Sequence, residues 1–598
     1  MLNQNKIYKG ITIILFLFLF IYLAVRVFLN ETLHDEVATY MFFIYHGDYK
    51  GANIVWDANN HLLNSFIGNH LYPFFKDHLN WYRIPNLLFF VVYFFGIRKL
   101  TSEFKTKHLQ ILALVTFCTI PFIIEYFAYC RGYGLSLGFF SWALVHINKY
   151  LKNNSTLNLI YAYIFLLFTI ASNVTFINTC FLIIAVIFIQ QFILIKKKGL
   201  KNFALISGIN FLFICSLIPF IQFSFQLKEH GALYYGSNEG IWDVTGKTIS
   251  KYVLFWDNDI LMYVYIILFI LLIYKAIKSI SLQNLIAHTS DSFLFYSFLF
   301  FGNIVAILLM AWVLEINYPE DRTGMYLIIL FFFMIFYCID QLKIGKYIQY
   351  LFLFFPIMFI FKMSIHTSVF SPDDRMTVAF YKKVKKYIKP EHSIMIYHIM
   401  NWNWPFKESL QKEKASVATF YNPNALVTDI IINKTTTLNS PYISKFYDIL
   451  AYDPLSTYIA FKRKKPFNKK LKRKSEIVSL PILSNEYINI FESDSIQEFE
   501  NKTLQITVKG HLQTFQLKNK IQLVVQTFDN DNLLKEHLYY SFETTYQGKK
   551  IDDDFLHHFV IEKLDLDEKR IVVYIWNRNF EKIKLNHSNC SLYQVSNL

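Results

Sequence analysis

The chain of 598 residues is 54% hydrophobic and 19% aromatic, and only 17% of it is charged, against about 25% in an ordinary soluble protein. Its apolar residues come in blocks between Lys9 and Met363, which excludes a wholly soluble protein and leaves a polytopic membrane domain followed by a soluble region. The +15 formal charge raises nucleic acid as a partner, but the basic residues fall in short loops between apolar blocks and in two runs, Lys382 to Lys389 and Arg463 to Lys474. Solvated faces, a linker or an anionic membrane surface account for them, and no nucleic-acid partner is expected.

The first block, Ile11 to Leu29, is broken only by Arg26. It exceeds the apolar core of a signal peptide and no small-residue cleavage site follows, so it reads as a retained first span. Further along, the pattern predicts about eleven spans in all: 10–30, 84–99, 109–127, 132–148, 157–172, 174–195, 203–225, 260–277, 292–314, 324–340 and 347–363. Basic residues mark alternate short loops: Arg98, Lys99, Lys105 and Lys107; Lys149 and Lys152; Lys196 to Lys198 and Lys201; Lys275 and Lys278; Lys343 and Lys346. The positive-inside rule makes these loops cytoplasmic. The loops 31–83, 227–259 and 315–322 then face outward, and an odd span count puts 364–598 outside too. The expected location is the cytoplasmic (inner) membrane.

The predicted domains are 1–365, a transmembrane domain with interfacial helices in its first outer loop; 366–470, a small α/β region ending in a basic linker at 462–474; and 471–598, a β-sandwich-like domain. In the α/β region a helix is expected over Met376 to Ile388 and strands over Ser393 to Tyr397 and Leu426 to Ile432. Alternation at Leu504 to Val508, Ile521 to Val525 and Ile571 to Asn577 signals the sandwich. Asp552-Asp553-Asp554 reads as a solvated turn rather than a calcium site, and Trp576 as core rather than a platform for a sugar. Of six cysteines only Cys590 lies in the soluble region, so no internal disulfide is expected there, and no metal-ligand spacing is present.

The first outer loop carries the acidic pair Asp35-Glu36, where the first span leaves the membrane. Val37, Met41, Phe42 and Tyr45 are spaced for one apolar helix face. A second candidate helix, 59–75, opens with Asn59-Asn60-His61-Leu62-Leu63. Both are expected to lie in the interface, apolar side to lipid.

These motifs, in this order and all on the outer face, resemble the GT-C superfamily of membrane glycosyltransferases, in particular the bacterial branch related to protein O-mannosyltransferases and lipid A aminoarabinose transferases. The likeness covers residues 1 to about 365. It rests on Asp35-Glu36, on Asn59 to Leu63, on Arg83-Ile84-Pro85, on Cys130-Arg131-Gly132-Tyr133 after Glu125, and on Tyr318-Pro319-Glu320-Asp321-Arg322 running to Tyr326. The Asn59 to Leu63 stretch lacks the proline many members carry there. The resemblance implies a GT-C-like fold and an inverting transfer of a sugar from a polyprenyl-phosphate donor to a lipid, glycan or protein acceptor.

The chemistry of such a transfer asks for the same residue types. A phosphate leaving group needs little general acid but does need cations as charge develops. Arginine suits this because its planar fork binds phosphate bidentately and stays charged. Arg83, Arg131 and Arg322 are the candidates, with Asn60, His61, Tyr133 and Tyr318 as further substrate contacts. The acceptor hydroxyl needs a base, for which Asp35 is the candidate and Glu36 its helper. Adjacent carboxylates on a helix do not face each other across a bond, which argues against a glycosidase pair. No particular cofactor is assigned, and Asp35 and Glu36 could take a divalent cation through oxygen.

Other readings stay open. Asp35 and Glu36 can serve as helix N-terminal charges. Arg83 can snorkel, Arg131 can pair with Glu125, and Arg322 with Asp321 or Glu320. His61 can be a plain interfacial residue, Tyr133 and Tyr318 aromatic-belt residues. A transporter or flippase of lipid-linked sugars is the alternative function. It predicts ionisable residues inside the spans, whereas the charges here gather at the outer rim. A non-catalytic envelope scaffold is the third reading.

Overall fold

The computed structural model describes residues 2–49, 56–256, 259–279, 291–343, 345–368, 371, 375–389, 392–396, 403–410, 428–515, 520–546, 550–565 and 567–596. They divide into two compact units, one of Met1–Asn30 with Trp56–Phe370, the other of Glu31–Val55 with Ser371–Leu598.

The first unit is helical. Six helices among the described residues are long and apolar enough to cross a bilayer: Lys6–Leu29, Leu79–Thr101, Val174–Ile195, Gly199–Glu229, Ser292–Leu314 and Asp321–Gln341. A seventh arises if Lys107–Thr119 and Pro121–Ala128, bent by 57°, form one span. The bend falls where Pro121 can no longer donate its backbone N–H to the helix before it. The break between the third and fourth of these helices lies at Gly199, whose φ of 78° only glycine adopts without cost. The other expected blocks are also helical. Thr156–Ser172 is apolar but short, and 347–363 is split between a 3-10 turn, Gln349–Leu353, and a helix, Phe354–Lys362. Six or seven helices among the described residues therefore meet the length and apolarity of a span, and the expected count of eleven is not confirmed.

Outward-facing Ile14, Ile21, Phe192, Phe211, Leu212 and Trp312 are exposed. Apolar area on this scale requires lipid rather than water. By contrast Met325–Gln341 is buried along most of its length.

The second unit holds three four-stranded sheets. The first has strands β1 (Ile394–Ile396), β2 (Ile430–Lys434), β3 (Tyr447–Tyr452) and β4 (Tyr458–Arg463), in the order β1-β2-β4-β3. The β1–β2 pair is parallel and the rest antiparallel. Helix Val378–Lys385, capped by the Thr377 hydroxyl, lays Phe380, Tyr381 and Val384 on one face of this sheet with Ile394, Ile396 and Trp404. Residues 397 and 426–427, included in the two expected strands, lie outside the described residues.

The remaining strands are β5 (Asn468–Ser479), β6 (Tyr487–Ser493), β7 (Thr503–Thr514), β8 (Ile521–Phe528), β9 (Leu534–Ser541), β10 (Asp552–Ile561), β11 (Arg570–Asn577) and β12 (Ile583–Ser596). They form two sheets, β10-β7-β12-β5 and β6-β11-β8-β9. One apolar core joins these sheets to the other face of the first: Met395, Ile431, Ile459 and Phe461 cluster with Ile488, Leu504, Val525, Val573 and Leu592.

Several expectations change here. The basic run is no plain linker, because from Asn468 it is strand β5, paired with β12. It lies at the sheet edge, and its lysines disfavour pairing with another chain there. Asp552 to Asp554 open strand β10 rather than a turn, and Asp552 and Asp554 both contact the His511 ring, at 3.0 and 2.9 Å. Trp576 is not core: alternation sends it outward, half-buried. The segment 34–45 is not laid on lipid. It is an α-turn, His34–Ala38, running into a π-helical turn, Thr39–Ile44, with Val37 and Tyr40 to Ile44 buried. Tyr40 packs edge-on against Phe406, and Glu31 pairs with the buried Lys407 at 2.8 Å. The second candidate, Leu62–Phe75, keeps an amphipathic character, with Asn64, Ser65 and Gly68 buried and Phe66 and Phe74 exposed.

Candidate functional site

In the helical unit Asn60, His61 and Tyr133 come together, while Arg83 and Tyr318 lie elsewhere. Arg83 sits at the start of its span, fully buried, and its Nη1 donates to the carbonyl oxygens of Val27 and Asn30 at 2.9 and 2.8 Å. These are carbonyls at the end of the first helix, which have no intrahelical partner, and a cation is the favoured group there. Arg83 therefore acts as a helix cap.

Glu125 pairs with Arg26. Arg26 Nη2 donates to Glu125 Oε2 at 3.1 Å and to the Tyr129 hydroxyl at 2.9 Å. The lone charge in the first apolar run thus has its counter-ion in the bent pair.

Arg131 is buried and stands over the Tyr133 ring at 5.6 Å. Tyr133 meets Tyr126 edge-on at 5.0 Å and His61 at 4.6 Å. His61 Nδ1 donates to the Ser172 carbonyl at 2.9 Å, which fixes the ring. Gly132 permits this approach: a Cβ there would lie 2.1 Å from Ser172 O and 2.6 Å from His61 Cβ. Asn60, also buried, accepts a hydrogen bond from the Ser65 hydroxyl at 2.8 Å.

Arg322 lies over Tyr235 at 4.5 Å, and its Nη1 donates to the Tyr235 hydroxyl at 3.2 Å. That hydroxyl in turn donates to Asp321 Oδ2 at 2.7 Å. Burial pushes the Tyr235 hydroxyl up; Arg322 pulls it down and Asp321 pushes it up. The loop is held by Thr245, whose hydroxyl donates to the Pro319 carbonyl at 2.7 Å, and by Asp321 N–H donating to the Thr248 hydroxyl at 2.9 Å.

A cavity of about 500 Å³ opens between these elements. Asn60, His61, Tyr133 and Tyr235 line it, together with Asn173, Asn178, Thr323 and Tyr326. Leu62, Ile177, Phe181, Phe225, Ile307 and Leu314 supply its apolar walls. This is the usual character of a ligand site, apolar with a few convergent polar groups. Of the expected contacts, Asn60, His61 and Tyr133 meet at the cavity. Arg131 stands behind Tyr133 and Arg322 behind Tyr235. Tyr318 lines a different pocket, with Trp312 and Asn238. Sequence reasoning missed Tyr235; the Tyr234-Tyr235-Gly236 run in the loop 227–259 was its signal. In the same loop Asp243 is an exposed partner of Lys247 at 2.8 Å.

Asp35 and Glu36 belong to the second unit. Glu36 is fully buried and its Oε2 accepts the Leu33 N–H at 3.1 Å, closing the first turn of its helix as a glutamate at that position does. Asp35 is half-buried, and its carbonyl accepts the Thr39 hydroxyl at 2.8 Å. Among the described residues no group of three or more His, Cys, Asp or Glu side chains is placed to hold a metal ion. A divalent cation on this pair would find no third such ligand there.

No protein-family model matches the chain, and no curated protein matches it. Among solved structures it is similar to the crystal structure of ArnT from Cupriavidus metallidurans bound to undecaprenyl phosphate, at 10% identity and a TM-score of 0.37, over 77% of this chain and 98% of that one.

Proposed function

We propose that the protein is a membrane glycosyltransferase that moves a sugar from a polyprenyl-phosphate donor to a lipid, glycan or protein acceptor at the outer face, with inversion. The cavity carries this reading. Its apolar walls suit a prenyl chain, and Asn60, His61, Tyr133 and Tyr235 suit a sugar phosphate. Its size lies within the range of small-ligand sites, roughly 300–1,000 Å³.

In the proposed reaction an acceptor oxygen bonds to the anomeric carbon as the bond from that carbon to the phosphate oxygen breaks. The phosphate leaves with the electron pair, still attached to its lipid. Arg131 and Arg322 offset its charge in surroundings where burial strengthens electrostatic interactions. Asp35 takes the acceptor proton, and Glu36 holds the turn that carries Asp35.

The test uses the purified protein in nanodiscs with a polyprenyl-phosphate sugar, measuring release of polyprenyl phosphate. Asp35→Asn is expected to lower kcat by about 100-fold or more with unchanged thermal unfolding. Near-normal transfer by that variant removes Asp35 from the chemistry. In vesicles, a change of sidedness with no sugar released marks a flippase instead and overturns the reading.

A further inference from the structure

The outward face of the sheet β6-β11-β8-β9 takes no part in the core or in the reaction proposed above. Alternation turns Ile571, Val573 and Ile575 inward and Val572, Tyr574 and Trp576 to the other side, where Val572 and Trp576 are half-buried and Tyr574 is covered. The register then sets rows across the sheet. Tyr487, Trp576, Gln522 and Ser541 share one row, and Asn489, Tyr574, Val524 and Tyr539 the next.

The rings are organised. Tyr487, 54% exposed, lies nearly parallel to Trp576 with centroids 6.2 Å apart and meets Tyr574 edge-on at 5.6 Å. The Trp576 indole N–H donates to Glu486 Oε1 at 3.2 Å, which fixes the ring plane. Val524 is 0% exposed although it points outward, so its neighbours close over it as a floor.

We propose that this face binds a neutral saccharide chain. A pyranose presents C–H groups on its faces and hydroxyls around its rim. The C–H groups are attracted to the electron-rich face of an aromatic ring. Hydroxyls both donate and accept, as do the amides of Asn489 and Gln522, while the Glu486 carboxylate accepts. The charges around the rings show no excess of cations of the kind that would hold a phosphorylated or sulfated ligand. Glu486 stands at the Trp576 indole N–H, Glu492 is paired with Arg570, and Arg578 lies 5.4 Å over Trp576, which leaves these charges balanced. The half-buried and exposed amides beside the rings also distinguish the face from one made to enter lipid.

The test is independent of sugar transfer. Full-length protein in phosphatidylcholine nanodiscs is titrated with neutral hexasaccharides of glucose, mannose, galactose and N-acetylglucosamine, with empty nanodiscs as the control. At least one hexasaccharide is expected to bind. Tyr487→Ala and Trp576→Ala are each expected to weaken it about tenfold, while Trp576→Phe, which keeps a ring, stays within about threefold. Thermal unfolding of each variant reports folding; Tyr487, being exposed, keeps the test valid if Trp576→Ala unfolds. The proposal is overturned if no hexasaccharide binds or if the Tyr487 variant binds as wild type does.

Discussion

Arg26 and Glu125 form an ion pair with Nη2 to Oε2 at 3.1 Å, and the two side chains are 0% and 5% exposed. The pair joins the first helix to the bent pair of helices through groups that have almost no water. Its surroundings set its energetics. Two charges together satisfy each other, and removing one takes a charged partner from the other where there is almost no water.

Replacing Arg26 by Met, or Glu125 by Gln, is therefore expected to destabilise the helical unit by about 3–5 kcal/mol. Replacing both by apolar residues should recover much of that loss. Thermal unfolding of the three variants in detergent measures the coupling.

Tyr235 links Arg322 to Asp321 through one hydroxyl. Tyr235→Phe removes that link while keeping the ring under the guanidinium. Affinity for polyprenyl phosphate is expected to fall about tenfold, from about 1–2 kcal/mol of lost positioning, with little change in thermal stability. Arg322→Ala should weaken binding further, and a titration of labelled polyprenyl phosphate checks both.

Gly132→Ala places a methyl 2.1 Å from the Ser172 carbonyl and 2.6 Å from His61 Cβ. Neither neighbour is the free end of a flexible side chain, so a helix or His61 must shift. A cost of about 1–3 kcal/mol is expected, together with weaker ligand binding in the cavity. Thermal unfolding and binding measured on the same preparation test it.

Burial pushes the Glu581 carboxyl from 4.5 up to about 7, against hydrogen bonds with the Asn579 side chain and the Lys520 backbone that pull it down. The folded state then holds a proton that the unfolded chain releases at lower pH. The stabilisation is complete below about 4.5 and is lost as pH rises through about 7. The unfolding temperature should fall by several degrees across that window, and Glu581→Gln should flatten the dependence. Unfolding curves from pH 4 to 8 on both proteins, followed by a β-sheet signal, decide it.

The apolar blocks were legible because a span is a local pattern about 20 residues long. The strands β7, β8 and β11 were legible for a similar reason, since alternation shows which face is buried. Continuity of the spans was less so: composition does not tell a bent pair at Pro121 from one straight helix. The segment 34–45 was misread because an apolar helix face looks the same whether lipid or protein covers it. Trp576 was misread because an aromatic residue in an alternating strand belongs to whichever face the register assigns, and the register depends on β6 and β8.

By itself the sequence determined the class of the protein, the positions of its helical blocks and the loop motifs from which a sugar transferase is proposed. Only the tertiary structure decided that Glu125 pairs with Arg26, 99 positions away, and that Tyr235 meets Arg322, 87 positions away. It also decided that Glu36 closes its own turn while Arg83 caps the first helix. Hydrophobic periodicity is a short-range property of the chain, whereas an ion pair or an aromatic contact depends on where distant segments come to rest in a packed interior.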